Sequence, residues 1–294
     1  MLHDTSASQP QLSSKRDLTL CEVADSETGS VLRTTFCFVD AYNNAWFGQI
    51  PHVRKYDLDV KDLQRNLRRI PDEIIYPKLT AGLTIIADDD DAKRYYIKRP
   101  KLLCLDNPEE TQLLPKMLLE EAQILESLKP HRHDNLVRYH GCVSKQDRLA
   151  GIALEKYDVI LLYRFEDDVR PLDVHACMSG IRAGVELLHS LGLAHNDLNP
   201  MNIALDENDR PVILDFGSCK RFGSPLSSGG TPGWIDEDYS TSAQCHDERA
   251  LQKIDSWLSN KQTEHERDVF REYERGTGQV ERCTRAKTSK VREA

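Results

Sequence analysis

Apolar and polar positions alternate with a period of two through Leu18-Thr19-Leu20-Cys21-Glu22-Val23 and return in the run Thr34 to Val39. Glu27-Thr28-Gly29-Ser30 lies between these runs as a turn, so short strands are expected from Leu18 to about Ile50. Leu63, Leu67 and Ile70 then fall at helical spacing, which predicts a helix over Val60 to Ile70 that Pro71 ends. Gly82 to Ala87 and Arg94 to Arg99 read as strands around the turn Asp88 to Asp91. The next helix is expected over Leu114 to Leu128, with Leu114, Leu118, Glu121, Leu125 and Leu128 on one face. A carboxylate within an apolar stripe needs a reason, because burying its charge is costly without a partner.

Strand-like runs at Leu136 to Val143 and Gly151 to Tyr157 close the first half. The pattern then becomes helical. Asp173 is a fitting N-cap for a long helix with the stripe Val174, Cys177, Met178, Ile181, Val185, Leu188 and Leu191, and Gly192 sits where a C-terminal glycine belongs. Ile203-Ala204-Leu205 and Val212-Ile213-Leu214 flank Asp206-Glu207-Asn208-Asp209 as a hairpin. Ala250, Leu251, Ile254, Trp257 and Leu258 mark a last buried helix, and the charged chain after Ser259 reads as a solvated helix or disordered tail. Strands first and helices later predict an α+β protein with segregated halves.

Composition narrows the setting. The formal net charge of -9 does not suggest affinity for nucleic acid or an anionic membrane, and no apolar run approaches the roughly 20 residues of a membrane span. The polar, Ser/Gln-rich first 17 residues lack the apolar core of a signal peptide and are expected to be disordered. Eight cysteines lie far apart without a C-x-x-C pair, which points to reduced thiols in an intracellular protein, in the cytoplasm or alternatively the nucleus.

The residues that can do chemistry concentrate in one stretch. His195-Asn196-Asp197-Leu198-Asn199-Pro200-Met201-Asn202 opens the hairpin, and Asp215-Phe216-Gly217 follows it. The hairpin folds the Asp215 carboxylate back toward Asp197 and Asn202, giving hard oxygen donors of the kind that suit Mg²⁺ and a further carboxylate that can accept a hydroxyl proton. Gly217 permits the sharp backbone reversal after them.

In residue type and spacing, H-x-D-L-x-P-x-N followed by D-F-G thirteen residues after the Asn resembles the catalytic and metal-binding loops of the protein kinase family. The resemblance implies a two-lobed protein-kinase-like fold with a strand-rich N-lobe and a shortened, mainly helical C-lobe. It also implies Asp197 as catalytic base and Asn202 and Asp215 as Mg²⁺ ligands. Tyr95-Tyr96-Ile97-Lys98 matches the strand bearing the phosphate-binding lysine, and Glu121 matches that lysine's helix partner, with Lys93, Lys101 and Glu120 as rivals. Leu154-Glu155-Lys156-Tyr157 fits the hinge, where Glu155 and Tyr157 would offer backbone groups to the adenine of ATP. Gly230-Thr231-Pro232-Gly233-Trp234 resembles the end of an activation segment, and Asp247 an aspartate that braces the catalytic loop.

The resemblance covers about residues 76–259. It divides the chain into a disordered 1–17, a small strand-containing extension 18–75, an N-lobe 76–157, a shortened C-lobe 158–259 and a charged tail 260–294. The function it implies is an ATP- and Mg²⁺-dependent phosphotransferase acting on a hydroxyl, most naturally Ser or Thr of a protein substrate. Four departures keep two alternatives open. No G-x-G-x-x-G precedes Lys98, and Tyr96 shares the lysine's strand face, where it is expected to point toward the adenine pocket. Asn196 and Asn199 replace the arginine and lysine of the catalytic loop, and Ile235-Asp236-Glu237-Asp238 stands in place of A-P-E. The absent glycine loop and Tyr96 favour a pseudokinase that binds or scaffolds without turnover. Asn199 and the shortened lobe favour a small-molecule kinase.

Weaker candidates remain. His131, His133, His140 and Cys142 are too few for a zinc site without a second cluster and are expected to form a polar turn. Asp88 to Asp91 reads as a solvated turn, and Ser224, Ser227 and Ser228 as loop serines open to phosphorylation.

Overall fold

The computed structural model describes residues 10–86, 94–167, 170–226, 230–237, 239–264 and 267. The turn Asp88 to Asp91, Lys93, Ser227, Ser228 and nearly all of the charged tail lie outside the described residues. The chain forms two compact units that divide between Pro130 and His131, between Val137 and Arg138, and between Lys156 and Tyr157. The first is rich in strands and the second is mainly helical, as an α+β chain requires.

In the first unit, β1 (Thr19–Ala24), β2 (Val31–Val39) and β3 (Ala45–Pro51) form an antiparallel meander. Asp25 Oδ1 organises the first turn by accepting from Thr28 N at 2.7 Å and Glu27 N at 3.1 Å. Helix α1 covers Val60–Asn66, with Asp59 and Asp62 forming a capping box. It is shorter than the expected Val60 to Ile70. The chain turns extended at Leu67, and β4 (Arg68–Arg69) pairs with Trp46 and Phe47 of β3.

Successive residues of β2 and β3 point to opposite sides of this sheet. Phe36 and Trp46 pack with Leu18, Leu58, Leu63 and Leu67 on one side. Cys37 and Ala45 pack on the other with Ile75, Tyr76, Leu102, Leu114, Val143 and Ala150. The second of these cores joins the N-terminal sheet to a second sheet. That sheet has the order β5 (Tyr96–Lys98), β7 (Arg148–Leu154), β6 (Tyr139–Lys145), all antiparallel.

Gly82 to Ala87 does not become a strand over its described part. Ile85 makes one bridge beside Cys142, fixed by Cys142 N to Thr84 O at 2.7 Å and Ile86 N to Cys142 O at 3.0 Å. Helix α2 runs Pro108–Leu128, beginning well before the expected Leu114. Asn107 caps it by accepting from Glu109 N, and Pro108 takes the first helical position, where its missing N–H is no loss. The first turns are polar, so the apolar stripe could not reveal them.

In the second unit, α3 (Val174–Ser190) is capped by Asp173, which accepts from Ala176 N, and is closed by Gly192 at φ +73°. Strands β10 (Ile203–Leu205) and β11 (Pro211–Ile213) form the expected hairpin, with β8 (Val159–Ile160) on the far side of β10. Strands β9 (Leu193–Ala194) and β12 (Lys220–Arg221) pair separately. Leu136 and Val137 leave β6 and join this unit, with Val137 N donating to Ile213 O at 2.9 Å. Gly184 lets α3 approach β11, since a Cβ there would lie 2.9 Å from Ile213 Cδ1. Helix α4 (244–264) buries Ala250, Leu251, Ile254 and Leu258. Trp257 makes edge contacts with Trp234 and Phe165.

Candidate active site

The chemistry-bearing residues divide between the two units. In the first, β5 presents Lys98 and α2 presents Glu121, and Lys98 Nζ reaches Glu121 Oε1 at 2.6 Å. Their side chains are 14% and 5% exposed, so each charge depends on the other. Leu118, Ala122 and Leu125 bury the surrounding turn of α2, which answers why a carboxylate stands in that stripe. The rivals are placed otherwise: Glu120 pairs with Lys116 at 3.8 Å, and Lys101 is exposed. Tyr96 is 56% exposed, while its neighbour Tyr95 stacks on His140 with ring centroids 3.9 Å apart.

Glu155 lies just past the end of β7. Its N–H donates to Arg138 O at 3.0 Å and its carboxylate meets His140 Nε2 at 2.9 Å. Tyr157 begins the second unit. His140 is thus engaged by Glu155 and Tyr95, and Cys142 Sγ lies 3.2 Å from the Tyr139 hydroxyl. Among the described residues no group of three or more His, Cys, Asp or Glu is arranged to hold a metal.

In the second unit the catalytic-loop segment is fixed by backbone contacts. Asp247 is fully buried at the start of α4. It accepts from Asn196 N at 2.8 Å, from His195 N at 2.8 Å and from His189 Nε2 at 2.9 Å. His195 points its Nε2 at Leu214 O, 2.8 Å away, and its Nδ1 lies 3.3 Å from Asp197 N. A carbonyl accepts only, so the ring proton sits on Nε2. This places the residue before Asp215 against the residue two before Asp197. Leu214 N also donates to Asn202 O at 2.8 Å, which closes the hairpin mouth.

The Asp197 carboxylate is held at both oxygens. Its Oδ1 accepts from Thr231 N at 2.8 Å and Thr231 Oγ1 at 2.7 Å, with Asn199 Nδ2 at 3.3 Å. Asn202 Nδ2 donates to Asp197 O at 2.8 Å and to Oδ2 at 3.1 Å. With its nitrogen so used, Asn202 has its Oδ1 to offer a cation. Asp215 takes the left-handed region at φ +54°, its carboxylate receiving Gly217 N at 3.2 Å, and Phe216 is buried beside His195. A carboxylate and a carboxamide oxygen on one hairpin fit a hard, oxygen-seeking divalent cation such as Mg²⁺.

Three contributors were not legible from the sequence. Thr231 belongs to the Gly-Thr-Pro segment, but nothing in that pattern names Asp197 as its partner. Asn196, at φ +64° and 2% exposed, is a hub. Its Nδ2 lies within 3.0 Å of Ala194 O, Ser218 O and Ser242 Oγ, and its Oδ1 accepts from Ala243 N and contacts His246 Nδ1. His246 stacks flat on Tyr239, and burial holds its pKa below the ordinary value.

The sequence model of the family described as Protein kinase domain matches residues 86–257, more than half of the chain. The chain belongs to the protein kinase family. It is 30% identical over 139 residues to the mitogen-activated protein kinase kinase kinase YODA of Arabidopsis thaliana, covering 45% of this chain and 15% of that protein. It is 33% identical over 140 residues to the fatty acyl-CoA synthetase and RNA processing-associated kinase 1 of Saccharomyces cerevisiae, covering 45% and 16%. Against the serine/threonine-protein kinase TAO3 of Xenopus laevis the figures are 28% over 123 residues, covering 40% and 13%. The chain therefore spans only a small fraction of the length of these relatives. No helix among the described residues of this chain is long and apolar enough to cross a membrane.

Proposed function

We propose that the chain is an ATP- and Mg²⁺-dependent phosphotransferase that moves the ATP γ-phosphoryl group to a hydroxyl, most naturally of Ser or Thr in a protein. The observation that carries this reading is the Lys98–Glu121 pair. A buried ion pair is a poor stabiliser compared with well-packed apolar residues. Its retention at 2.6 Å is better explained by a lysine held ready for an anion.

In this reading Lys98 binds phosphate oxygens, and Glu121 fixes where its ammonium stands. Asn202 and Asp215 hold Mg²⁺, which when bound neutralises phosphate charge. Glu155 and Tyr157 are the adenine-binding residues through their backbones. Asp197 orients the acceptor hydroxyl and takes its proton as the new O–P bond forms and the bond to the leaving ADP oxygen breaks. Donors from Thr231 and Asn199 fill Asp197 Oδ1, so the hydroxyl is taken by Oδ2, which also accepts from Asn202 Nδ2 at 3.1 Å.

Two features favour a second reading, a kinase-fold module that binds without turnover. No Gly-x-Gly loop precedes Lys98, and Tyr96 replaces a small residue two positions before that lysine. Transfer of labelled phosphate from ATP to a protein mixture, with Mg²⁺ present, separates the readings. The unaltered chain is expected to label protein and Asp197→Asn to lose labelling by about 10³-fold. A Tm shift with Mg²⁺-ATP but no labelling would select the binding module. No Tm shift at millimolar Mg²⁺-ATP would remove the phosphotransferase reading.

A further inference from the structure

The sheet β1–β4 precedes residue 86, where the family match begins. It is nevertheless tied to the helix that carries Glu121. Arg33 on β2 makes a forked contact with Asp106, its Nε lying 2.9 and 3.1 Å from the two carboxylate oxygens and a terminal nitrogen also engaged. Gln49 on β3 donates its side-chain amide to the same carboxylate. Asp106 ends the 3-10 turn Leu102–Asp106, one residue before the Asn107 cap of α2. The pair is half-buried, with side-chain exposures of 34% for Arg33 and 16% for Asp106. Beneath it, Cys37 and Ala45 of the sheet share one core with Leu102 of the turn and Leu114 of α2.

The other end of α2 is anchored as well. Glu126, just over one turn past Glu121, accepts from Thr84 N at 2.8 Å, Thr84 Oγ1 at 2.7 Å and the Tyr139 hydroxyl at 2.8 Å. Fixing both ends of a helix fixes the rotation and height of the residue between them. A bidentate arginine–carboxylate contact specifies orientation as well as distance.

We propose that the N-terminal sheet is a built-in positioning module, with Arg33 and Asp106 holding α2 so that Glu121 stays on Lys98. Its functional consequence rests on the phosphotransferase reading; its structural claim does not. Neither Arg33 nor Asp106 touches Lys98 or Glu121, so both are positioning residues.

The test uses the full chain carrying Arg33→Ala, Asp106→Ala, Arg33→Lys, or the exchanged pair Arg33→Asp with Asp106→Arg. Hydrogen exchange over 108–128 is read by mass spectrometry, alongside labelled-phosphate transfer at saturating Mg²⁺-ATP. Asp106→Ala loses both Arg33 and Gln49 and is expected to speed exchange in α2 about tenfold, with transfer falling in parallel. Arg33→Ala should do less, and Arg33→Lys and the exchanged pair should recover most of the loss. The core shared with the sheet keeps these variants folded, which a Tm within a few degrees of the unaltered chain verifies.

Unchanged exchange in Asp106→Ala would overturn the proposal, as would faster exchange with full transfer. Faster exchange that the exchanged pair reverses, in a chain that never transfers phosphate, would uphold the sheet's hold on α2 and remove the phosphotransferase reading instead.

Discussion

The two sets of candidate catalytic groups are held by opposite means. In the first unit, Lys98 and Glu121 come from separate elements, β5 and α2, and what fixes them is charge against charge with little exposure. In the second unit, Asp197 and Asn202 lie on one short loop, and what fixes them is a set of backbone amides, carbonyls and carboxamides gathered around Asp247 and Asn196. The first arrangement stores its precision in distant packing, so it can be shifted by whatever moves α2. The second is local and over-determined, so it should resist movement until a central acceptor is removed.

Removing that acceptor is the hardest blow to the contrast. Asp247→Ala leaves His195 N, Asn196 N and His189 Nε2 facing an empty buried site. Stranding buried donors of this kind costs about 3–5 kcal/mol in all. Urea unfolding should show that loss, and phosphate transfer should fall with it. If Asp247→Ala kept both its stability and its transfer rate, the second unit would not be organised around this carboxylate.

Charge should matter more in the first unit, and a paired substitution shows it. Glu121→Gln leaves the largely buried Lys98 ammonium without its carboxylate and should cost about 2–3 kcal/mol. Replacing both residues, as Lys98→Met with Glu121→Leu, should restore stability to near that of the unaltered chain while abolishing transfer. Unfolding midpoints and labelling of the same samples give the two readings. A double variant that stayed as unstable as Glu121→Gln would mean that the pair earns its place as a stabiliser, and the functional reading of Lys98 would lose its main support.

What the sequence disclosed follows the same division. The loop from His195 to Asn202 and the hairpin to Asp215 were legible because partners close in sequence leave a fixed spacing. Glu121 was legible because a carboxylate interrupts an apolar stripe with a period of 3.6. The Arg33–Asp106 contact was not, since its partners stand 73 positions apart and neither breaks a pattern. The start of α2 at Pro108 was missed because its first turns face water, and the end of α1 was misplaced because pairing of Arg68 and Arg69 with β3 overrode a helical spacing that continued to Ile70. Asn196 reads in the sequence as the loss of an arginine. In the fold it is a left-handed residue whose carboxamide satisfies partners from three separate segments.

That hub also predicts a smaller, pH-dependent difference between the units. Burial depresses the pKa of His246 below its ordinary 6.5, an effect that nearby Asp247 only partly opposes. Neutral His246 can donate its Nδ1 proton to Asn196 Oδ1, 3.1 Å away, while its ring lies flat on Tyr239. With a depressed value the folded chain binds less proton than the unfolded chain in mild acid. The stability linked to His246 is therefore fully present above about pH 6.5 and is lost as pH falls toward and through the folded value. His246→Asn, which keeps a side-chain amide near Asn196, should flatten this part of the stability–pH curve between pH 7 and 5. The Lys98–Glu121 pair lies on β5 and α2, so protection of α2, after correction for the intrinsic pH dependence of exchange, should stay level over this range while protection of the loop 194–202 falls. Equal acid sensitivity of the two segments, or a curve unchanged by His246→Asn, would show that the Asn196 hub is not gated by this ring.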